Sequence, residues 1–244
     1  VMSGSISKAA EALLAARKSG QTIDDLPPGS QPQTAAEGYA IQDEVGKALT
    51  PVMGWKVSRP GGGALVTGAL YRETFVKNGR LSVAGVNQPL VEGEAAFRVR
   101  APIAPGASED ELLSKIDFVP LFEIVHSRYT DLFKVSRLTL LADNMAAGFI
   151  KLGTPVAQWR NMSADKLHLR ITANGKLIEE FNFADKMKAG IGLALAVLRN
   201  EDGRARTFAV GTVITTGSMN KPAAITGEIV ADYGPLGTNT ITIQ

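Results

Sequence analysis

Hydrophobic positions recur along this chain in two different rhythms. In the N-terminal fifth, Ile6, Ala9, Ala10, Leu13 and Leu14 follow helical spacing and predict an amphipathic helix over 5–18, which Gly20 stops. A Pro/Gly/Ser loop spans 24–32. Thr34 with Glu37 three residues on then reads as a capping box for a second helix, which carries Tyr39, Ile41, Val45 and Leu49 and ends before Pro51. These two helices are expected to form a small N-terminal helical subdomain, 1–52. From Gly54 the pattern shortens to strand-like runs between Gly and Pro turns, at 55–57, 75–77, 88–99, 118–124, 149–152, 166–173, 176–183, 207–215, 227–233 and 238–243. Asn174-Gly175 between two alternating runs is a hairpin signal. Helices are predicted at 108–116, where Ser108 caps with Glu111 in the third position, and at 187–199. The expectation is an α+β chain, mainly β, with a closed or rolled sheet in a second domain over 53–244. No internal repeat or low-complexity segment interrupts it.

Composition narrows the function classes. The chain has 244 residues, 45% hydrophobic and 20% charged, which is ordinary for a globular protein. A formal net charge of +2 without a Lys/Arg cluster argues against nucleic-acid binding. The chain has no cysteine, so thiolate catalysis, disulfides and cysteine-bound zinc are excluded. The Ala-rich start is interrupted by Lys8 and Glu11 and does not read as a signal peptide. The longest later apolar run, 189–198, is too short to span a bilayer. A cytoplasmic enzyme without a membrane or nucleic-acid partner is expected. Gly61-Gly-Gly63 lacks both the Walker lysine and the Rossmann spacing, so nucleotide binding is not indicated.

Three glutamates stand out against this background. Glu92 and Glu94 lie in Val91-Glu-Gly-Glu-Ala-Ala-Phe97, and Glu123 lies in Val119-Pro-Leu-Phe-Glu-Ile-Val125. Both stretches otherwise read as buried strands, and a buried carboxylate is costly unless something positive meets it. Residues two apart on a strand share a face, so Glu92 and Glu94 can grip one ion while Gly93 faces away. Three carboxylates suit Mg2+ or Mn2+ and leave positions for water or a chelating substrate. Without His or Cys ligands beside them, zinc is disfavoured.

Glu-x-Glu followed by Pro-x-x-Glu-Ile-Val-x-Ser-Arg resembles the fumarylacetoacetate hydrolase superfamily, and within it the 2-keto-4-pentenoate hydratase / 4-oxalocrotonate decarboxylase branch. Further segments resemble it in order: Tyr39-Ala-Ile-Gln42, Gly54-Trp-Lys56-Val, Ala142-Asp-Asn144 with Gly148, Thr216-Gly217-Ser218, and Asp232-Tyr-Gly-Pro-Leu-Gly237. Two segments depart from the pattern. Ala64-Leu-Val-Thr-Gly68-Ala-Leu70 lacks the aspartate of Asp-Phe-Gly-x-Leu, and Ala189-Gly190-Ile191 lacks the proline of Gly-His-Pro.

The resemblance implies a mixed β-sandwich roll like the fumarylacetoacetase C-terminal domain, with Mg2+ or Mn2+ on Glu92, Glu94 and Glu123. It implies a small 2-oxo acid as substrate and homo-oligomers, with a hydratase–decarboxylase complex as a further form. Lys56, expected to have a lowered pKa, would carry a proton or stabilise charge. Asn144 and Ser218 complete the expected catalytic set, and Lys56, Thr216, Gly217 and Ser218 would hold the substrate. The activity implied is hydration or decarboxylation of unsaturated 2-oxo acids in aromatic-compound breakdown. The main alternative is a catalytically idle metal-binding paralogue that binds a small acid or a partner protein. An acylpyruvate-type C–C hydrolase ranks third, because the only histidines are His126 and His168 and neither lies in the first half, where that branch carries its dyad.

Overall fold

A computed structural model describes residues 3–244; residues 1 and 2, at the start of the expected N-terminal subdomain, lie outside the described residues. Helix α1 (Ser3–Ser19) buries Ala9, Ala10, Leu13 and Ala16. Helix α2 (Ala35–Gly46) is capped as its sequence specifies: the Thr34 hydroxyl accepts from the Glu37 N–H at 3.2 Å. Ile41 and Val45 of α2 pack with Leu13 of α1, Leu26 and Tyr129 in one apolar cluster.

The remainder is mostly sheet. In chain order come β1 (Val52–Ser58), β2 (Val66–Tyr71), β3 (Arg80–Leu81), β4 (Leu90–Val99), α3 (Glu109–Ser114), β5 (Ile116–Ile124), α4 (Arg137–Ala142) and β6 (Phe149–Leu152). Then follow β7 (His168–Ala173), β8 (Lys176–Asn182), α5 (Ala184–Leu198), β9 (Val213–Ser218), β10 (Ala223–Ala224), β11 (Gly227–Asp232) and β12 (Thr238–Ile243). The larger sheet runs β2-β1-β9-β4-β5-β6, with β10 also paired to β4, and the smaller runs β3-β12-β11-β7-β8. The chain is therefore mixed α/β, dominated by sheet.

The expected run at 207–215 begins later, at Val213, because 207–212 turns back on itself (Thr212 N–H to Ala209 O, 3.0 Å). The expected strand at 75–77 reduces to an isolated bridge, Phe75 to Ile150. Helix α4 and strand β2 have no counterpart in the periodicity.

The larger sheet has two unlike faces. Odd-numbered side chains of β4 (Val91, Ala95, Phe97, Val99) and even-numbered ones of β5 (Phe118, Phe122, Ile124) join Leu169, Ile171, Ile229, Ile241 and Ile243 of the smaller sheet in the main core. On the other face Ala96, Val119, Leu121, Ile150, Leu70 and Val213 form a second apolar cluster. This is the period of two that strand geometry dictates. The second face also carries Glu92, Glu94 and Glu123, because β4 and β5 pair with Glu92 opposite Glu123, Glu94 opposite Leu121 and Ala96 opposite Val119.

Candidate active site

The antiparallel register of β4 and β5 brings the three glutamates together: one carboxylate oxygen from each of Glu92, Glu94 and Glu123 lies within 4.8 Å of the others. Glu94 and Glu123 are fully buried. The oxygens are used unevenly. Glu94 Oε2 accepts from the Thr215 hydroxyl and from the Gly217 N–H at 3.0 Å. Glu123 Oε2 takes the Lys56 ammonium at 3.0 Å. Oε1 of Glu94 and Oε1 of Glu123 are buried and have no hydrogen-bond partner among the described residues. Orphaned carboxylate oxygens on two residues of one buried cluster are costly, and they are hard donors that a small dication would satisfy. The cluster therefore fits a divalent metal.

Burial pushes the Glu94 carboxyl well above the usual carboxylate range, and the charges of Glu123 and Glu92 push it further. Burial also raises Glu123, against the pull of Lys56. For Lys56, burial pulls downward, but Glu123, Glu92 and Glu94 outweigh it and the net displacement is upward. With no ion on the triad the direction is opposite to the lowering expected beside a cation, because three carboxylates meet one ammonium.

Lys56 reaches this place through the shape of the sheet. It lies on β1, three ladders from Glu123 on β5. At about 4.8 Å per ladder a flat sheet would separate the two strands by roughly 14 Å, yet Nζ touches Glu123. The sheet must curl around the site. A second contact fixes the ammonium: Nζ donates to the Met145 carbonyl at 3.0 Å.

That carbonyl comes from an unusual turn. Asn144, Met145 and Ala146 have φ of 56°, 54° and 57°, three successive non-glycine residues in the left-handed region, where each costs about 1–2 kcal/mol. Arg128 clamps the turn at both ends. Its Nε meets Asp143 Oδ1 at 2.8 Å, Nη2 donates to the Asp143 carbonyl at 3.1 Å, and Nη1 donates to the Ala147 carbonyl at 2.9 Å. Two glycines make room for it. A Cβ at Gly68 would come within 2.6 Å of Asn144 O, and one at Gly148 within 1.9 Å of Ile124 O.

The other expected site residues are placed as follows. Asn144 is buried and donates from Nδ2 to the Ala69 carbonyl at 3.0 Å, leaving Oδ1 unpartnered. The Ser218 hydroxyl donates to Asn220 O at 2.7 Å, and the Thr216 hydroxyl to Ala95 O at 2.7 Å. Gly217 serves Glu94 through its N–H. His126 stacks on Phe149 with ring centroids 6.0 Å apart, and His168 pairs with Glu180 at 2.9 Å. The sequence reading missed Thr215, Tyr233 (whose hydroxyl donates to Glu94 O at 2.8 Å), Gln42, Asn220 and the Arg128–Asp143 pair. Gln42, in the Tyr-Ala-Ile-Gln segment, ties α2 to β2 and α4 by donating to Thr67 O and Leu141 O.

No protein-family profile matches the chain. A 2-hydroxyhexa-2,4-dienoate hydratase of Comamonas testosteroni is 27% identical over 183 residues, 73% of this chain and 68% of that protein. A 4-oxalocrotonate decarboxylase of Pseudomonas putida is 25% identical over 154 residues, 62% of this chain and 58% of that protein. In fold, the chain is similar to the structure of 4-oxalocrotonate decarboxylase from Pseudomonas putida G7 complexed with magnesium and adipate. That match has a TM-score of 0.82 at 22% identity and covers 100% of this chain and 99% of that one. A fumarylacetoacetate hydrolase family protein from Yersinia pestis CO92 shares the fold at a TM-score of 0.55 and 16% identity, over 80% of this chain and 94% of that one. The chain therefore shares its fold with a decarboxylase solved with magnesium and adipate and, less closely, with a protein of the fumarylacetoacetate hydrolase family. In sequence, the relatives of the chain are a dienoate hydratase and 4-oxalocrotonate decarboxylases.

Proposed function

We propose that this protein is a metal-dependent lyase acting on unsaturated 2-oxo acids, by hydration or by decarboxylation, with residues 53–244 forming the catalytic β-roll and 1–52 a helical subdomain packed on it. The observation that carries the reading is the pair of buried, unpartnered carboxylate oxygens on Glu94 and Glu123 beside Glu92. Glu92, Glu94 and Glu123 would hold the cation, Mg2+ or Mn2+. When bound, such an ion supplies Lewis-acid polarisation of the carboxylate and 2-oxo oxygens of the substrate.

The chain's own groups do the rest. An ammonium has three N–H donors. Glu123 and Met145 take two from Lys56, leaving one for a substrate oxygen. As an ammonium, Lys56 stabilises negative charge growing on the 2-oxygen, either as carbon dioxide leaves or as the dienol ketonises. The apolar floor of Leu70, Ala96, Val119, Leu121 and Val213 on the same face keeps bulk water away, which strengthens that interaction. Thr215 and Gly217 hold Glu94 at one oxygen so that the other faces the cluster.

The test is turnover of 2-hydroxypenta-2,4-dienoate and 4-oxalocrotonate with Mg2+, in wild type and Lys56→Met. Wild type is expected to consume at least one of them only when the metal is present. Lys56→Met should lose about 10²–10⁴-fold in kcat while still binding Mg2+. Metal-independent turnover, or full activity without Lys56, would overturn the proposal.

A further inference from the structure

Strand β4 is paired on its β9/β10 side in two separated pieces. The last residue of β9, Ser218, stands opposite Glu94, and β10 resumes with Ala223 opposite Val91. Between them the residues 219–222 bulge away, over the stretch of β4 that carries Glu92 and Gly93. An unpaired strand segment at that point would leave buried N–H and C=O groups without partners, which folded proteins avoid.

One side chain fills the gap. Asn220 is buried, 7% exposed. Its Oδ1 accepts the Gly93 N–H at 2.6 Å, and its Nδ2 donates to the Val91 carbonyl at 3.2 Å. The Met219 N–H completes the set by donating to the Gly93 carbonyl at 2.9 Å. The residue is itself pinned: Nδ2 also reaches Lys221 O at 3.1 Å, and Ser218 Oγ donates to the Asn220 main-chain carbonyl at 2.7 Å and reaches its Oδ1 at 3.4 Å. A primary amide offers one acceptor and two donors in the geometry of a peptide group, and Asn220 uses both kinds on the same strand, one on each side of Glu92.

We infer that Asn220 is a positioning residue for the Glu92–Glu94 pair: its amide stands in for the missing strand peptide and holds the main chain between the two carboxylates in the register at which both meet Glu123. The inference rests on the reading of the triad as a cation site and extends it outward by one shell of hydrogen bonds. Such outer contacts set the orientation of ligating side chains, and losing one typically weakens metal binding about 10- to 100-fold. Glu92, the least buried of the three, gains most from a fixed backbone.

The experiment compares wild type, Asn220→Ala, Lys221→Ala and Glu94→Gln. Mg2+ binding is measured by calorimetry, and amide exchange at Gly93 is measured in metal-free protein. Asn220→Ala is expected to bind Mg2+ about 10- to 100-fold more weakly and to exchange the Gly93 amide faster, with the amides of β5 unchanged. Lys221→Ala, at an exposed neighbour, should match wild type in both. Should Asn220→Ala not fold, Asn220→Ser keeps a polar side chain too short to bridge both backbone groups and serves in its place. Mg2+ affinity within twofold of wild type in the Asn220 variant, with binding lost in Glu94→Gln, overturns the inference and leaves the triad intact. Faster exchange across all of β5 together with weaker binding makes Asn220 merely structural, which also overturns it. Undiminished Mg2+ binding in Glu94→Gln sinks the reading of the triad, and this inference with it.

Discussion

Replacing Glu94 by glutamine should make the metal-free protein more stable and the metal-bound protein impossible. In the native chain three carboxylates have oxygens within 4.8 Å of one another, and among the described residues Lys56 is the cation that stands against them. At an effective dielectric constant of about 20, two unit charges at that separation repel by about 3.5 kcal/mol. Glu94 makes two such pairs. Because it escapes part of the repulsion by holding a proton, and because its loss also removes an attraction to Lys56, the net gain on neutralising it is about 2–3 kcal/mol. The substitution keeps the shape. The glutamine oxygen can still accept from Thr215 and Gly217, and its amide donates toward the neighbouring carboxylates. For a chain of this size the gain corresponds to a rise in Tm of about 5–10 °C. Wild type in Mg2+ should recover at least that much by mass action, about 2.7 kcal/mol at a hundred times Kd, whereas Glu94→Gln should gain nothing. Thermal melts of both proteins in EDTA and in Mg2+ decide the matter. If Glu94→Gln melts below wild type in EDTA, the carboxylates are already well paired without an ion, and the reasoning from frustrated oxygens is wrong.

Burial, aided by Arg128, holds the His126 imidazole down at about 4 against an ordinary 6.5; the folded state therefore binds fewer protons than the unfolded one, and stability contributed above pH 6.5 is lost as pH falls toward 4. After allowance for solvent screening at this half-buried position the loss is about 1–2 kcal/mol, and urea unfolding across that window should show it in wild type and not in His126→Phe. Gly148→Ala would force a Cβ into the Ile124 carbonyl; it should cost 3 kcal/mol or more on the order of a severe core lesion, visible as a lowered Tm or loss of soluble protein, and a wild-type melt would refute the crowding argument.

Much of the site was legible because burial makes charge conspicuous. Glu92, Glu94 and Glu123 interrupt apolar strands, and a period of two is enough to put the first pair on one face. The Thr34–Glu37 and Ser108–Glu111 caps were legible for a similar reason, since their side chains satisfy backbone groups a few residues away. The hairpin at Asn174-Gly175 joined β7 to β8 by the same local logic. What escaped depends on contacts distant in sequence. Asn220 is one asparagine in a loop until its partner, more than a hundred residues upstream, is known. The upward displacement of Lys56 follows from the curl of the sheet, which no local pattern encodes. Helix α4 is six residues long, too short for its periodicity to show.

Lys56 leans on a main-chain oxygen at position 145. Every amino acid carries that oxygen, so the contact asks of residue 145 only that it accept a positive φ, and nothing of its side chain. The demand for sameness falls instead on its silent neighbours, two glycines whose only contribution is the space they leave, and on the arginine that ties the turn shut. In this corner of the molecule the lysine is steadied by main chain, and side chains matter mostly for the shape they give it.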